Sequence, residues 1–157
     1  MTVDRNLAVA RKLLSQMAEG AAPEVIAAVF SEDVQFEIAG DVGALPWIGR
    51  KTGRGAASAF FRDVRQITET LRFNVDGILA DDVRAVVVGD LASRLRGTAS
   101  TLETAFVFIL TISGDQITRF QMLEDSFAVS RAARPPEPAG DRPETGRGSP
   151  PRPSTNP

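Results

Sequence analysis

LETAFVFILTISGDQITRFQMLED, residues 102–125, is the stretch that decides the fold. Ser113-Gly114-Asp115 breaks it as a tight hairpin turn. On either side the apolar residues recur with a period of two, the spacing of strands. In the first arm Leu102, Phe106, Phe108 and Leu110 share one face, and Ala105, Val107 and Ile109 share the other. A sheet with one face in water alternates polar and apolar residues. This one is apolar on both sides. One face therefore needs a cover of helices, and the other is expected to meet a second subunit, most simply in a two-fold homodimer.

Working outward, Val83 to Arg96 reads as another long strand, preceded by an Asp81-Asp82 turn and a strand starting with Leu71, Phe73 and Val75. Upstream the period becomes helical, with Phe60, Val64, Ile67 and Leu71 at i, i+4, i+7 and i+11. Gly40 to Gly55 is glycine-rich and reads as a loop, after a short strand of Val34, Phe36 and Ile38. Two more helices open the chain. Leu7, Ala10, Leu14 and Met17 line up on the first, with Leu13 beside them, and Pro23 suits the first turn of the second, which carries Val25, Ile26, Val29 and Phe30. Ser126 to Ala133 reads as a short closing helix. The expectation is an α+β domain: a cone-shaped, strongly curved, mostly antiparallel sheet wrapped by about three N-terminal helices around an apolar pocket.

Composition sets limits on the chemistry. The chain has 157 residues, 43% of them hydrophobic, and a net charge of -2. It lacks the clustered Lys and Arg that nucleic acid requires. No apolar run approaches the roughly 20 residues needed to span a bilayer, and the polar start is unlike a signal peptide. A cytoplasmic protein is expected. There is no Cys, His or Tyr, so thiolate nucleophiles, the usual neutral-pH base and the commonest metal ligand are all missing. Neither a metal nor a cofactor is expected, and acid–base chemistry falls to carboxylates, Lys or water. From Pro135 onward the chain carries eight of its ten prolines and no Ile, Leu, Val, Met or aromatic residue. The expected division is a folded domain over 1–134 and a disordered tail over 135–157.

Phe30-Ser31-Glu32-Asp33-Val34-Gln35-Phe36, Pro46-Trp47-Ile48-Gly49-Arg50, Gly114-Asp115-Gln116-Ile117 and Leu123-Glu124-Asp125-Ser126, in this order of elements, resemble the SnoaL-like branch of the nuclear transport factor 2-like superfamily. That group includes ketosteroid isomerases, polyketide cyclases and limonene epoxide hydrolases. The resemblance covers about residues 5 to 133. It implies a small, largely apolar ligand (polyketide, terpenoid or steroid-like) and cofactor-free cyclisation or isomerisation, with a non-catalytic binding or dimerisation module as one alternative and an epoxide hydrolase as another. The departures are specific. The isomerases' tyrosine on the first helix falls at Leu13 or Leu14 here, and their second oxyanion donor falls near Phe106. Without such donors an enolate lacks its electrostatic stabilisation. The hydrolases' Arg-x-Asp corresponds to Arg94-Leu95-Arg96, without the Asp.

Two carboxylates are candidates for proton transfer. Asp41, in Asp41-Val42-Gly43, resembles the Asp-x-x-Gly stretch carrying the isomerase base; otherwise it is a turn residue. Asp125, with Glu124 before it, resembles the acidic strand end of the cyclases; otherwise Asp125 caps the closing helix. Strand parity puts Asp125 with Gln121 and Leu123, and Glu124 opposite. Trp47, Phe36, Phe60, Phe106, Phe108, Gln121 and Leu123 are the candidate ligand contacts. Asp90, inside an apolar run, calls for a cross-strand ion pair or a pocket. Arg50, Lys51 and Arg54 form either an anion-attracting loop or a solvated one.

Overall fold

The computed structural model describes residues 2–134. The proline-rich tail expected over 135–157 lies outside the described residues. The elements run α1 (Thr2–Ala18), α2 (Pro23–Ala27), β1 (Phe30–Ile38), β2 (Gly49–Thr52), α3 (Arg54–Ile67), β3 (Thr68–Ala80), β4 (Arg84–Leu95), β5 (Thr101–Ser113), β6 (Gln116–Glu124) and α4 (Ser126–Ala133). They form one six-stranded sheet in the order β2-β1-β6-β5-β4-β3. β1 and β6 run parallel, and every other neighbouring pair is antiparallel. The α+β architecture is the one expected from the sequence, a curved, mostly antiparallel sheet with its helices grouped toward the N-terminus.

The sheet curves because its ladders are repeatedly interrupted. The register shifts twice along β3, between Thr70 and Arg72 and between Val75 and Gly77, and once more where Thr111 and Ile112 meet β6. An extra residue in one strand bends it and increases its twist. Gly89 permits a close approach in the middle of β4. A Cβ there would collide with the Asn74 carbonyl oxygen and lie 2.9 Å from Phe106 Cζ, so the ring of Phe106 rests over bare backbone.

Three local readings change. The buried stripe of α1 is Asn6, Val9, Ala10 and Leu13, rotated from the expected one. Asn6 is inside because its Nδ2 donates to the Asp81 carbonyl at 2.9 Å, tying the helix to the β3–β4 turn. Val29 and Phe30 leave the second helix, and Phe30 begins β1. The glycine-rich stretch contains β2, a polar edge strand paired with β1. Its four residues hold no apolar side chain, so no periodicity marked it.

Helix α1 lies against β3 and β4, and α3 against α2 and β1. The core between helices and sheet is densely aromatic toward β1 and β6. There Phe36 and Phe120 stack with centroids 4.6 Å apart, and Phe30 meets Phe120 edge-on at 5.9 Å.

Candidate functional site

The inner face does not fill completely. A cavity of about 140 Å³ remains between α3, the concave side of the sheet and α4. Helix α3 contributes Phe60, Phe61 and Val64, and the β1–β2 loop contributes Leu45 and Trp47. The sheet supplies Phe73, Leu91, Phe108 and Met122, and Val129 of α4 closes one side. Four polar side chains interrupt this wall: Thr68, Thr70, Ser93 and Glu124. Thr70 and Ser93 stand directly opposite each other on β3 and β4. The Thr68 hydroxyl donates to the Val64 carbonyl at 2.7 Å, where α3 passes into β3 without a loop.

Glu124 is the only ionisable residue on this wall. It is half-buried at the end of β6, and burial pushes its carboxyl up to about 7, with no neighbouring charge to offset it. A carboxyl near 7 is populated in both protonation states at neutral pH, the condition for a general acid or base.

The expected site residues divide. Trp47, Phe60 and Phe108 border the cavity. Phe36 is buried behind it, stacked on Phe120, and Phe106 is buried between Phe73 and Phe108, at 4.8 and 4.7 Å from their rings. Gln121 and Leu123 point to the convex side, where Leu123 is 43% exposed. Asp125 accepts a hydrogen bond from the Ala128 backbone N–H at 3.0 Å and caps α4. Its own N–H donates to Thr104 Oγ1 at 2.9 Å. Asp41 is tied to the far end of α4, accepting from Ser130 Oγ and Arg134 Nε, each at 2.7 Å. Arg134 and Ser130 hold its carboxyl below the usual range, opposite to what a base at neutral pH needs. Neither expected carboxylate borders the cavity; their neighbour Glu124 does.

The remaining charges are placed on the outside. Arg72 pairs with Asp90 Oδ2 at 3.5 Å and with Glu103 at 3.6 Å across the strands, the cross-strand pair expected for an aspartate inside an apolar run, while Asp90 Oδ1 is buried without a hydrogen-bond partner. Arg94 pairs with Glu69 at 3.4 Å. Arg50 pairs with Glu37 at 3.4 Å, Lys51 donates to the Pro46 carbonyl at 2.7 Å, and Arg54 donates to the Phe30 carbonyl at 2.9 Å. None of these borders the cavity. A wider, more open groove of about 490 Å³ lies between Ser100–Glu103 and α4, with a lining of mixed polarity. Among the described residues no acidic cluster is arranged to hold a metal ion, and no helix is long and apolar enough to cross a membrane.

The model of the SnoaL-like domain matches residues 10–120, the stretch from α1 to β6 that builds the sheet and most of the cavity wall. The chain belongs to the SnoaL-like family. Its fold recurs in an NTF2-like protein from Burkholderia xenovorans, 24% identical, with a TM-score of 0.75 over 84% of this chain and 98% of that one. TerC, crystallised with polyporic acid, is 20% identical, with a TM-score of 0.68 over 82% of this chain and 98% of its own. A protein of ketosteroid isomerase-like fold from Catenulispora acidiphila, solved with trimethylamine, is 16% identical, with a TM-score of 0.54 over 65% and 74%. No curated protein matches the chain. At such identities these structures share the fold with this SnoaL-like chain.

Proposed function

We propose that this SnoaL-like domain binds one small, largely apolar molecule in the cavity and moves a proton on it through Glu124, in a cofactor-free isomerisation or cyclisation. One observation carries the reading: a solitary carboxyl, raised to about 7, on the wall of an otherwise largely apolar cavity. Enclosure by Trp47, Phe60 and Phe108 orients the ligand and excludes water, so Glu124 works at a fixed distance rather than by chance encounter. The cavity limits size. Sites for drug-sized ligands run to roughly 300–1,000 Å³, against about 140 Å³ here. A single-ring molecule fits; a four-ring steroid or long polyketide requires the β1–β2 loop or α4 to move outward. Polyporic acid and trimethylamine, the ligands of two relatives, differ too much in chemistry to name a substrate.

The reading is tested directly on the carboxyl. Carbon NMR of Glu124 should show a midpoint near 7 that is absent from Glu124→Gln. A midpoint at the ordinary 4.5 would remove the acid–base role. Exchange of α-protons with D₂O in a panel of small cyclic ketones and imines supplies the catalytic arm. Any exchange the protein accelerates should fall about 10²–10⁴-fold in Glu124→Gln.

The convex face supports a homodimer as part of the same proposal. Val88, Val107 and Leu123 lie abreast on β4, β5 and β6, with Val86 and Ile109 beside them. Covering this apolar stripe with a second copy removes it from water. Sedimentation at low micromolar concentration should give twice the chain mass, and a monomer mass would discard this part.

A further inference from the structure

The cavity wall carries one acidic group and no basic one. Among the described residues Glu124 is the sole ionisable side chain, and α1, the β1–β2 loop, α3, β3, β4, β5 and α4 bring only apolar or hydroxyl groups and the Trp47 indole to the lining. No Arg or Lys is there to neutralise the carboxylate, although the exterior offers Arg72, Arg94 and Arg119 to other acids. The aromatic content is equally one-sided. Trp47, Phe60, Phe61, Phe73 and Phe108 surround about 140 Å³, and Trp47 and Phe60 meet edge to face at 6.1 Å. Aromatic faces carry negative charge density and attract cations. A partly aromatic, otherwise aliphatic wall and a single unpaired carboxylate are both satisfied by a ligand with one positive charge.

We infer that the ligand of this cavity is a small organic cation, an amine, iminium or quaternary ammonium of about single-ring size, whose charge lies among the rings and against Glu124. The inference deepens the proton-transfer reading and rests on it. An apolar cavity of about 150 Å³ holds one benzene ring, so the cation is limited to roughly that bulk. The charge also answers a chemical gap. Among the described residues the wall offers hydroxyls at Thr70 and Ser93 and the Trp47 indole, but no Tyr, Lys or Arg side chain for an oxyanion. An iminium brings its own electron sink. When ionised Glu124 takes a proton from its α-carbon, the C–H electrons form the C=C bond and the C=N electrons pass to nitrogen. The products are a neutral enamine and a protonated carboxyl, with no charge left to stabilise. Return of that proton to another carbon of a conjugated enamine completes an isomerisation.

Choline and 3,3-dimethylbutan-1-ol test the inference, because they differ only in replacing the cationic nitrogen by carbon. Calorimetry on the full chain at pH 8 should show choline binding at least tenfold more tightly than the alcohol. Choline does not titrate, so its affinity follows ionisation of Glu124, falling about tenfold from pH 8 to pH 6 for a carboxyl near 7. The alcohol should show no such fall. Glu124→Gln should remove most of the preference for choline and all of its pH dependence, leaving only what the rings contribute. Equal affinities in the wild-type protein, or no choline binding, overturn the cation assignment without needing any variant to fold. The NMR titration of Glu124 separates the two readings: a midpoint near 7 with no preference for choline leaves proton transfer standing and discards the cation.

Discussion

Toward β1 and β6, Phe36 and Phe120 stack with centroids 4.6 Å apart, and Phe30, Val34, Ile38 and Ile117 around them are fully buried. Toward β3 the stacking is as close, Phe73 on Phe106 at 4.8 Å, yet Phe73 keeps 39% of its surface and borders a cavity. The same residue type does different jobs at the two ends. Where rings interdigitate completely, every contact contributes dispersion and burial. Where they stop short, an unfilled volume and an unpaired carboxyl remain, and both reduce stability. A fold can carry such a defect only if the filled end supplies the surplus.

Truncation of one ring at each end should expose that difference most strongly. Phe120→Ala removes a buried side chain in contact with Phe30, Phe36, Phe60 and Phe108, and should cost about 3–5 kcal/mol in chemical denaturation. Phe73→Ala removes a partly solvated ring and should cost about 1–2 kcal/mol, while weakening whatever binds the cavity. Equal losses would mean that the two ends are not packed to different standards.

A second test titrates the defect itself. The carboxyl of Glu124 sits near 7 in the folded protein against an ordinary 4.5. The folded chain therefore holds a proton that the unfolded chain releases. Stability from this group is greatest below about 4.5, falls as pH rises toward 7, and is flat above. At about 1.36 kcal/mol per pKa unit, the ceiling is about 3 kcal/mol, and partial solvation lowers it. Glu124→Gln removes the dependence. The variant should match the wild type near pH 4 and exceed its stability at pH 8, as read by urea unfolding at both values. A wild type equal to the variant at pH 8 would show that the carboxyl is well solvated.

Sequence periodicity located β3 to β6 because their apolar side chains recur every second residue over long runs. It missed β2, whose four residues are all half-buried or exposed. It also turned the end of β6 the wrong way, for an identifiable reason. Ile117 is buried, so strict alternation aims Arg119, Gln121 and Leu123 inward with it. The register shift opposite Thr111 and Ile112 leaves Thr118 without its own partner, and beyond it Phe120, Met122 and Glu124 face the core. One inserted residue exchanges the two faces of everything that follows. Arg119 was the available signal: strict alternation would bury a guanidinium, whereas the shifted register lets it meet Glu37 at 3.3 Å on the exterior.

The neighbours Glu124 and Asp125 make the contrast at the scale of one peptide bond. Asp125 turns outward and caps α4, so Asp125→Ala should remove about 1 kcal/mol, the usual loss for an N-cap, with Glu124 still titrating near 7. Loss of that titration in Asp125→Ala would show that the cap also holds Glu124 against the cavity.

The smallest effect is expected at Asp41, whose place in the molecule is mechanical. It joins the β1–β2 loop to the end of α4 through Ser130 and Arg134. Leu45 and Trp47 of that loop and Val129 of α4 are cavity wall, so this contact fastens two sides of the cavity together. The pair is exposed, and exposed ion pairs add little to stability. Asp41→Asn should therefore leave the melting temperature almost unchanged. Its carboxyl is held below the ordinary range, and a depressed carboxyl stabilises above its unfolded value and stops doing so as pH falls through the folded one. The fastening thus persists across neutral and mildly acidic pH. Trp47, the only tryptophan, reports on it. Acrylamide quenching of Trp47 should rise in Asp41→Asn and in Arg134→Gln by less than about twofold, the modest change expected of local opening without unfolding. In the wild type it should stay constant between pH 8 and pH 5. Quenching unchanged in both variants would mean that the loop is held by Leu45 and Trp47 packing alone, with the ion pair resting on a wall that is already closed.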